Sequence, residues 1–184
     1  QTPIEETLAA LSELVAEGKV RYLGSSNFAG WQVMDADWTA RSAGYEPFIS
    51  AQNEYSWLNR TAESELVPAL QRTGQSLLPY FPLARGLLTG KYKRAESAPA
   101  GTRLAGQASP LEAADFDTIE AIEKLAAERG VSLLQVAIGG LAAMPTVGSV
   151  IAGATRVEQI EQNVAAGLWV PSGDELNALQ EITA

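Results

Sequence analysis

Hydrophobic and polar residues follow two alternating patterns along the chain. Segments in which apolar residues recur every three or four positions alternate with short, nearly continuous apolar runs of strand type. This alternation predicts an α/β fold with a parallel sheet covered by helices. The predicted strands lie at 20–26, 47–55, 76–83 and 148–153. The predicted helices lie at 3–17, 29–44, 62–73, 111–129, 132–144, 156–167 and 172–183.

The section at 85–110 follows neither pattern. It is rich in Gly, Ala, Pro, Lys and Arg, and a loop of this length is usually functional or disordered. Pro68 lies inside the helix predicted at 62–73 and argues against a regular helix there. The 184 residues are enough for one domain with its own core. We therefore predict a single domain over residues 1–184, with a long loop at 85–110.

Polar residues gather where the predicted strands end, which is where ligands bind in barrels and open sheets of parallel strands. Asn27 and Gln52 carry side-chain amides, which both donate and accept hydrogen bonds and therefore suit an amide ligand. The ring of Tyr80 can cover one face of a flat ligand ring. A Gly-Ala-Thr turn at 153–155, followed by Arg156, offers backbone N–H groups and a cation to a phosphate.

Each of these residues also has a purely structural interpretation. Ser26 and Asn27 could cap the following helix, and Tyr80 could belong to the core. Gly153 could simply form a turn, and Arg156 could be a solvated surface residue. The same solvated interpretation applies to three cations of the long loop, Lys91, Arg94 and Arg103.

Composition narrows the chemistry that the chain can perform. It contains no cysteine, which excludes disulfides and thiolate chemistry and fits a cytoplasmic protein. It contains no histidine either, so neither the commonest acid–base residue nor the commonest metal ligand is present, and we predict no metal site. The net charge is −9 and the basic residues are scattered, which argues against nucleic acid. No apolar run is long enough for a membrane span, so no membrane partner is expected.

Four segments resemble the aldo-keto reductase family, and they occur in the family's order over nearly the whole chain. They read GKVRYLGSSNF, SAQNEYSWLNR, LPYFPLARGLLTGKY and VGSVIAGATRVEQIEQN. The variants LARGLLTGKY and IAGATRVEQ are similar to the bacterial branch that also resembles potassium-channel β subunits and aflatoxin-aldehyde reductases.

The resemblance implies a (β/α)8 barrel that binds NADPH and reduces aldehydes and ketones to alcohols. The family's catalytic Tyr, Lys, Asp and His lie in the first half of that barrel, before a helix that often begins like TPIEETL. This sequence starts at that helix. The chain is therefore expected to form the second half of the barrel, with four strands and an extra C-terminal helix. It would carry no catalytic residue and be inactive alone.

The resemblance also implies the cofactor contacts. Ser26, Asn27 and Gln52 would bind the nicotinamide carboxamide. Tyr80 would stack on its ring, with Phe81 beside it in the site. Gly153, Ala154, Thr155 and Arg156 would bind the 2′-phosphate. The remaining implied contacts are Leu83, Arg85 and Lys91 along the pyrophosphate, and Gln159 and Asn163 at the adenine.

Two partners and a second function also follow from the resemblance. Four barrel strands leave open edges and an apolar face, so the chain should bind either the missing N-terminal half-barrel or itself. Its substrate would be a small carbonyl compound, and Trp31 and Trp57 could either line that pocket or simply pack. The alternative function is a non-catalytic half-barrel that binds nucleotide or a partner, resembling regulatory β subunits.

Overall fold

A computed structural model describes residues 2–184 as alternating helices and strands. Two 3₁₀ segments, Thr61–Glu63 and Ala84–Thr89, and a π-helical segment, Val136–Gly140, interrupt the pattern. The strands are β1 (Leu23–Ser26), β2 (Phe48–Gln52) and β3 (Ser76–Leu77). The helices are α1 (Ile4–Ala16), α2 (Gly30–Ala43), α3 (Leu66–Thr73), α4 (Ala108–Glu112), α5 (Phe116–Glu128), α6 (Leu133–Gln135), α7 (Val157–Gly167) and α8 (Gly173–Ile182).

These elements form two compact units. The first unit contains the residues up to Glu54 together with Thr61–Pro79 and Thr146–Ser149. The second unit contains Tyr55–Arg60, Tyr80–Pro145 and Val150–Ala184.

The first unit is built on a parallel sheet in the order β1-β2-β3. Ser26 of β1 lies opposite Gln52 of β2, so the ends of these strands lie side by side. An added Cβ at Gly24 would come within 2.7 Å of the Ser50 Oγ, so β1 needs glycine at this close approach. The prediction of an α/β fold with a parallel sheet is confirmed.

Helices α1, α2 and α3 pack in the same unit. The core joins α1 and α2 to the sheet through buried apolar side chains. Helix α2 ends at Gly44, whose φ of 74° is left-handed, as the sequence predicted. Helix α3 begins at Leu66, so Pro68 lies in its first turn. The N–H groups of a first turn have no acceptor within the helix, so the N–H that proline lacks is not needed there. The core residues are Leu8, Leu23, Ala36, Ala40 and Phe48.

The third and fourth predicted strands are much shorter in the structure. The strand expected at 76–83 is reduced to β3, because Pro79 and Pro82 lack the N–H that a strand ladder requires. The strand expected at 148–153 is reduced to isolated parallel bridges of Val147 with Leu77 and of Ile151 with Tyr80. Both segments run as irregular backbone between or beyond these pairings.

The second unit has a helical core around Trp57. The indole of Trp57 is almost fully buried and donates a hydrogen bond to the Val136 carbonyl at 3.0 Å. Trp57 is therefore a packing residue, whereas Trp31 of the first unit is exposed. The side chain of Ser132 caps α6 by accepting from the Gln135 N–H, as its position predicted. Within residues 2–184, no helix has both the length and the apolar character to cross a membrane.

The helix predicted at 132–144 contains a π-helical turn at Val136–Gly140. A Cβ at Gly139 would lie 2.7 Å from the carbonyl oxygen of Ala166 and closer still to that of Trp169. A Cβ at Gly140 would meet only side-chain atoms of Trp57 and Leu179, at 3.4 Å. The backbone of the last turn of α7 and of the residues just after it therefore lies directly against Gly139, and any side chain at position 139 would push that backbone away.

We expect Gly139→Ala to destabilise the protein by about 1–3 kcal/mol, because backbone atoms cannot move aside as a flexible side chain can. Gly140→Ala is the matched control, since both positions are helical and gain the same propensity from alanine, up to ~1 kcal/mol. Urea unfolding of both variants measures the difference. Equal stability of the two would show that the close approach at Gly139 is not tight.

Candidate functional site

Three of the predicted site residues meet at the ends of β1 and β2. The Gln52 carbonyl accepts a hydrogen bond from the Ser26 Oγ at 3.1 Å and another from the Asn27 N–H at 3.0 Å. Asn27 has a left-handed φ of 57°, a conformation that asparagine tolerates better than most residues. The parallel register of the strands therefore brings Ser26, Asn27 and Gln52 together.

Two buried polar atoms beside this cluster have no hydrogen-bond partner within residues 2–184. They are the Ser25 Oγ and the Asn53 Oδ1. The other end of the Asn53 amide is fixed, because its Nδ2 donates to the Phe28 carbonyl at 3.1 Å. A buried polar group without a partner costs about 1–3 kcal/mol, so such groups often mark functional sites. Ser25 and Asn53 directly adjoin the predicted residues Ser26 and Gln52 in the sequence, and this adjacency is the signal that could have identified them.

In the second unit, the backbone is left-handed at several positions just after Tyr80. Phe81, Ala84 and Arg85 have φ of 54°, 45° and 59°, and Gly86 follows with a φ of 100°. Non-glycine residues in this region are strained by about 1–3 kcal/mol each, and such strain is concentrated at functional sites. The segment implied to contact the pyrophosphate therefore begins with a series of tight turns.

Cations surround these turns. The guanidinium of Arg103 lies 5.0 Å from the centre of the Phe81 ring, and that of Arg85 lies 6.0 Å from it. The Lys91 ammonium lies 5.1 Å from the Tyr92 ring and 3.0 Å from where a Cβ on Gly86 would be. The sequence pattern predicted Arg103 to be a solvated cation of the long loop. Arg103 and Phe81 are far apart in the sequence, so the sequence alone does not reveal that they lie close together.

The remaining members of this segment are less exposed. Tyr80 and Phe81 are half-buried and pack edge to face, with ring centres 5.2 Å apart. Leu83 is also half-buried, and its carbonyl accepts hydrogen bonds from the Gly86 and Leu88 N–H groups. Tyr80 is therefore neither a fully buried core residue nor an exposed one, and its ring packs against that of Phe81.

The start of α7 holds the other predicted residues. Gly153, Ala154, Thr155 and Arg156 are exposed, and Arg156 is the N-cap residue of the helix. The Oε1 of Gln159 accepts from the Thr155 N–H at 2.8 Å and from its hydroxyl at 3.2 Å. The Thr155 N–H is thus already hydrogen-bonded. The Gln159 side chain helps to cap the helix, in addition to any contact that it would make with a ligand. Asn163 lies one turn further along, half-buried.

The long loop is held to α5 by ion pairs. Lys93 pairs with Glu123 at 3.1 Å, and Arg94 pairs with Glu120 at 2.9 Å and also with Asp117. Hydrogen bonding to Glu120 raises the pKa of Arg94, and the same contact lowers the pKa of Glu120. Arg94 is therefore an anchor of the loop and not an unpaired solvated charge. No group of three or more potential metal ligands occurs among the described residues.

The family of the chain follows from comparison with known proteins. The model of the "Aldo/keto reductase family" matches residues 1–184, which is the whole sequence. The chain belongs to the aldo/keto reductase family. The family assignment made from the four motifs is confirmed.

Three relatives illustrate the similarity within the aldo/keto reductases. The chain is 37% identical to "Uncharacterized oxidoreductase YrpG" of Bacillus subtilis, over 90% of this chain and 50% of the relative. It is 35% identical to "Probable voltage-gated potassium channel subunit beta" of Oryza sativa, over 90% and 52%. It is 33% identical to "L-glyceraldehyde 3-phosphate reductase" of Escherichia coli K12, over 90% and 49%. The chain spans about half the length of the curated relatives it matches.

Helix α5 carries the acidic residues that hold the loop, and Asp115 caps it. The Asp115 carboxylate accepts from the Thr118 hydroxyl at 2.6 Å and from the Thr118 N–H at 3.1 Å. The hydroxyl bond and then the backbone bond lower the pKa of Asp115. The stabilisation is therefore present above the unfolded pKa of about 3.9 and is lost as the pH falls through the lower folded pKa.

We expect Asp115→Ala to destabilise the protein by about 1 kcal/mol at neutral pH, the usual effect of losing an N-cap. Asp115→Asn keeps an acceptor oxygen but does not titrate, so it should lose less and show no pH dependence from this position. Urea unfolding between about pH 7 and pH 3 measures both differences. A gap between wild type and Asp115→Ala that widens on acidification would contradict the assignment.

Proposed function

We propose that this chain is the cofactor-binding half of an NADPH-dependent reductase that converts aldehydes or ketones to alcohols. The observation that carries the proposal is the segment from Phe81 to Gly86, in which Phe81, Ala84, Arg85 and Gly86 are left-handed. The cations Arg85, Lys91 and Arg103 lie around it. Strained backbone surrounded by exposed cations is an arrangement suited to phosphate groups. The family membership and the oxidoreductase names of relatives support the reaction class.

The strand-end cluster suits the nicotinamide end of the cofactor. A carboxamide needs both donors and acceptors, and the side chains of Asn27 and Gln52 offer both. The Ser25 Oγ and Asn53 Oδ1 are buried beside this cluster without a partner among residues 2–184, and these polar surroundings favour a polar ligand over an apolar one. We therefore propose Ser26, Asn27 and Gln52 as the carboxamide contacts.

The second unit suits the rest of the cofactor. Tyr80 is half-buried and would supply a ring for stacking, and the neighbouring Phe81 ring packs against it. Arg85 and Lys91 would bind the pyrophosphate, and we add Arg103 to them because it approaches Phe81 more closely than Arg85 does. Leu83 would contribute through its backbone, which already forms the turn to Gly86.

The exposed start of α7 suits a 2′-phosphate, which distinguishes NADP from NAD. Arg156 is exposed beside the first N–H groups of the helix, whose dipole also favours an anion. Gly153 and Ala154 leave the approach open, because a Cβ at Gly153 would meet nothing within 4 Å. Gln159 and Asn163 follow on the same helix and would contact the adenine.

The reaction needs groups from outside this chain. When bound, NADPH supplies a hydride to the carbonyl carbon. The carbonyl oxygen then takes a proton from an acid, a role that the family gives to a tyrosine of the first half-barrel. We therefore propose that the chain forms the second half of a (β/α)8 barrel, has no catalytic residue of its own and is inactive alone. We also propose a cytoplasmic location, on the cysteine-free composition.

The alternative is a non-catalytic half-barrel that binds nucleotide or a partner. Its support is the similarity to a relative named as a potassium channel β subunit. The gene upstream of the codon for Gln1 separates the two functions. We expect it to encode a four-strand segment with the catalytic Tyr, Lys, Asp and His, and the complete protein to reduce aldehydes with NADPH. A native start near Gln1, with no turnover on a panel of aldehydes, would favour the alternative.

We expect Arg156→Ala to weaken binding of NADPH far more than binding of NADH, by about 1.5–3 kcal/mol for a lost charge-assisted hydrogen bond. Nucleotide fluorescence titrated against the chain measures both affinities without any turnover. Arg72→Ala is the matched control, because Arg72 is also exposed but lies in α3 and has no proposed ligand. An equal loss for both cofactors would refute the role of Arg156 at the 2′-phosphate.

A further inference from the structure

A cavity lies in the second unit, between the long loop and helices α4 and α5. Its volume is about 440 Å³. Sites that hold small molecules usually have volumes of ~300–1,000 Å³, so the cavity is large enough to be one. Its floor is apolar, because Leu104 and Phe116 are buried and Leu111 is half-buried. We call this space the loop cavity.

Contacts within the unit fix the walls of the loop cavity. Lys93 at its edge pairs with Glu123 of α5 at 3.1 Å. On the floor, the Leu104 N–H donates a buried hydrogen bond to the Tyr92 hydroxyl at 3.2 Å. A site whose walls are already ordered loses little conformational freedom when a ligand enters. The loop cavity is therefore largely formed before any ligand binds.

The rim of the loop cavity offers acceptors and negative charge. Lys93 is already paired with α5, whereas the carboxylates of Glu96 and Glu112 form no ion pair among residues 2–184. Gln107 adds an acceptor oxygen to the rim, because its Nε2 is engaged with a backbone carbonyl of the loop at 3.1 Å. Two unneutralised carboxylates above an apolar floor favour a cation and repel an anion.

We propose that the loop cavity binds a small organic cation, a protonated amine attached to an apolar or aromatic group. The apolar group would cover Leu104, Leu111 and Phe116, and the ammonium would donate hydrogen bonds to Glu96 and Glu112. None of the proposed cofactor contacts lines this cavity. The site is therefore additional to the proposed function and does not depend on it.

The test uses the 184-residue chain and 2-phenylethylamine, which is protonated at pH 7 because an alkyl amine has a pKa of about 10. Ligand-observed NMR measures its dissociation constant without any nucleotide. Two compounds with a phenyl group serve as comparisons, neutral 2-phenylethanol and anionic 3-phenylpropionate. We expect the amine to bind roughly fivefold or more tightly than the alcohol, and the carboxylate not to bind. Equal affinity for all three compounds would overturn the proposal, as would no binding of the amine.

Substitutions place the binding in the loop cavity. Glu96→Gln and Glu112→Gln should each weaken the amine by about two- to fivefold, as for an exposed charge pair, and leave the alcohol unchanged. Glu128→Gln is the matched control, because Glu128 is an exposed glutamate of α5 that does not line the cavity. Ala108→Trp should abolish binding of the amine, because the indole would occupy the space beside this exposed lining residue.

Circular dichroism should show all four variants folded, since each substitution lies at an exposed position. If the amine bound to Ala108→Trp as it does to wild type, its site would lie elsewhere and the proposal would be wrong. The same conclusion would follow if Glu128→Gln weakened the amine as much as Glu96→Gln and Glu112→Gln do, because the effect would then reflect only the total charge of the chain.

Discussion

Parallel pairing of β1 with β2 is the constraint on which the polar end of the first unit depends. Because the two strands run in the same direction and Ser26 lies opposite Gln52, both strands end at the same edge of the sheet. The Gln52 carbonyl then holds Ser26 and Asn27 together through two hydrogen bonds. A slip of one residue would turn every side chain of the strand to the other face and separate these groups. Gly24 permits the required close approach to Ser50.

A different constraint shapes the second unit. Pro82 lacks the N–H that a strand ladder needs, and the backbone around it turns through left-handed conformations at Phe81, Ala84 and Arg85. These turns bring charged side chains from distant parts of the loop to one aromatic ring. The irregular backbone thus allows several cations to lie near the same ring. In a regular strand, successive side chains would point to opposite faces.

Much of this organisation could be predicted from the sequence. The alternating pattern predicted the α/β class, and Gly44 and Ser132 marked helix ends where the structure has them. The four motifs identified the family. Strand lengths could not be predicted, because apolar composition at 76–83 does not reveal where backbone pairing stops. The position of Arg103 beside Phe81 could not be predicted either, since it depends on how a loop without periodicity folds back on itself.

The hydrogen bond from the Thr155 N–H to Gln159 has a further consequence for affinity. The Gln159 oxygen already occupies one of the donors that a phosphate would seek at the start of α7, so it acts as a built-in competitor. An incoming anion gains only the difference between its own bond to that donor and the one it displaces. Releasing the Gln159 side chain also frees its amide for other partners. For the proposed phosphate, affinity at this helix end would therefore depend on exchange between two acceptors as well as on attraction to Arg156.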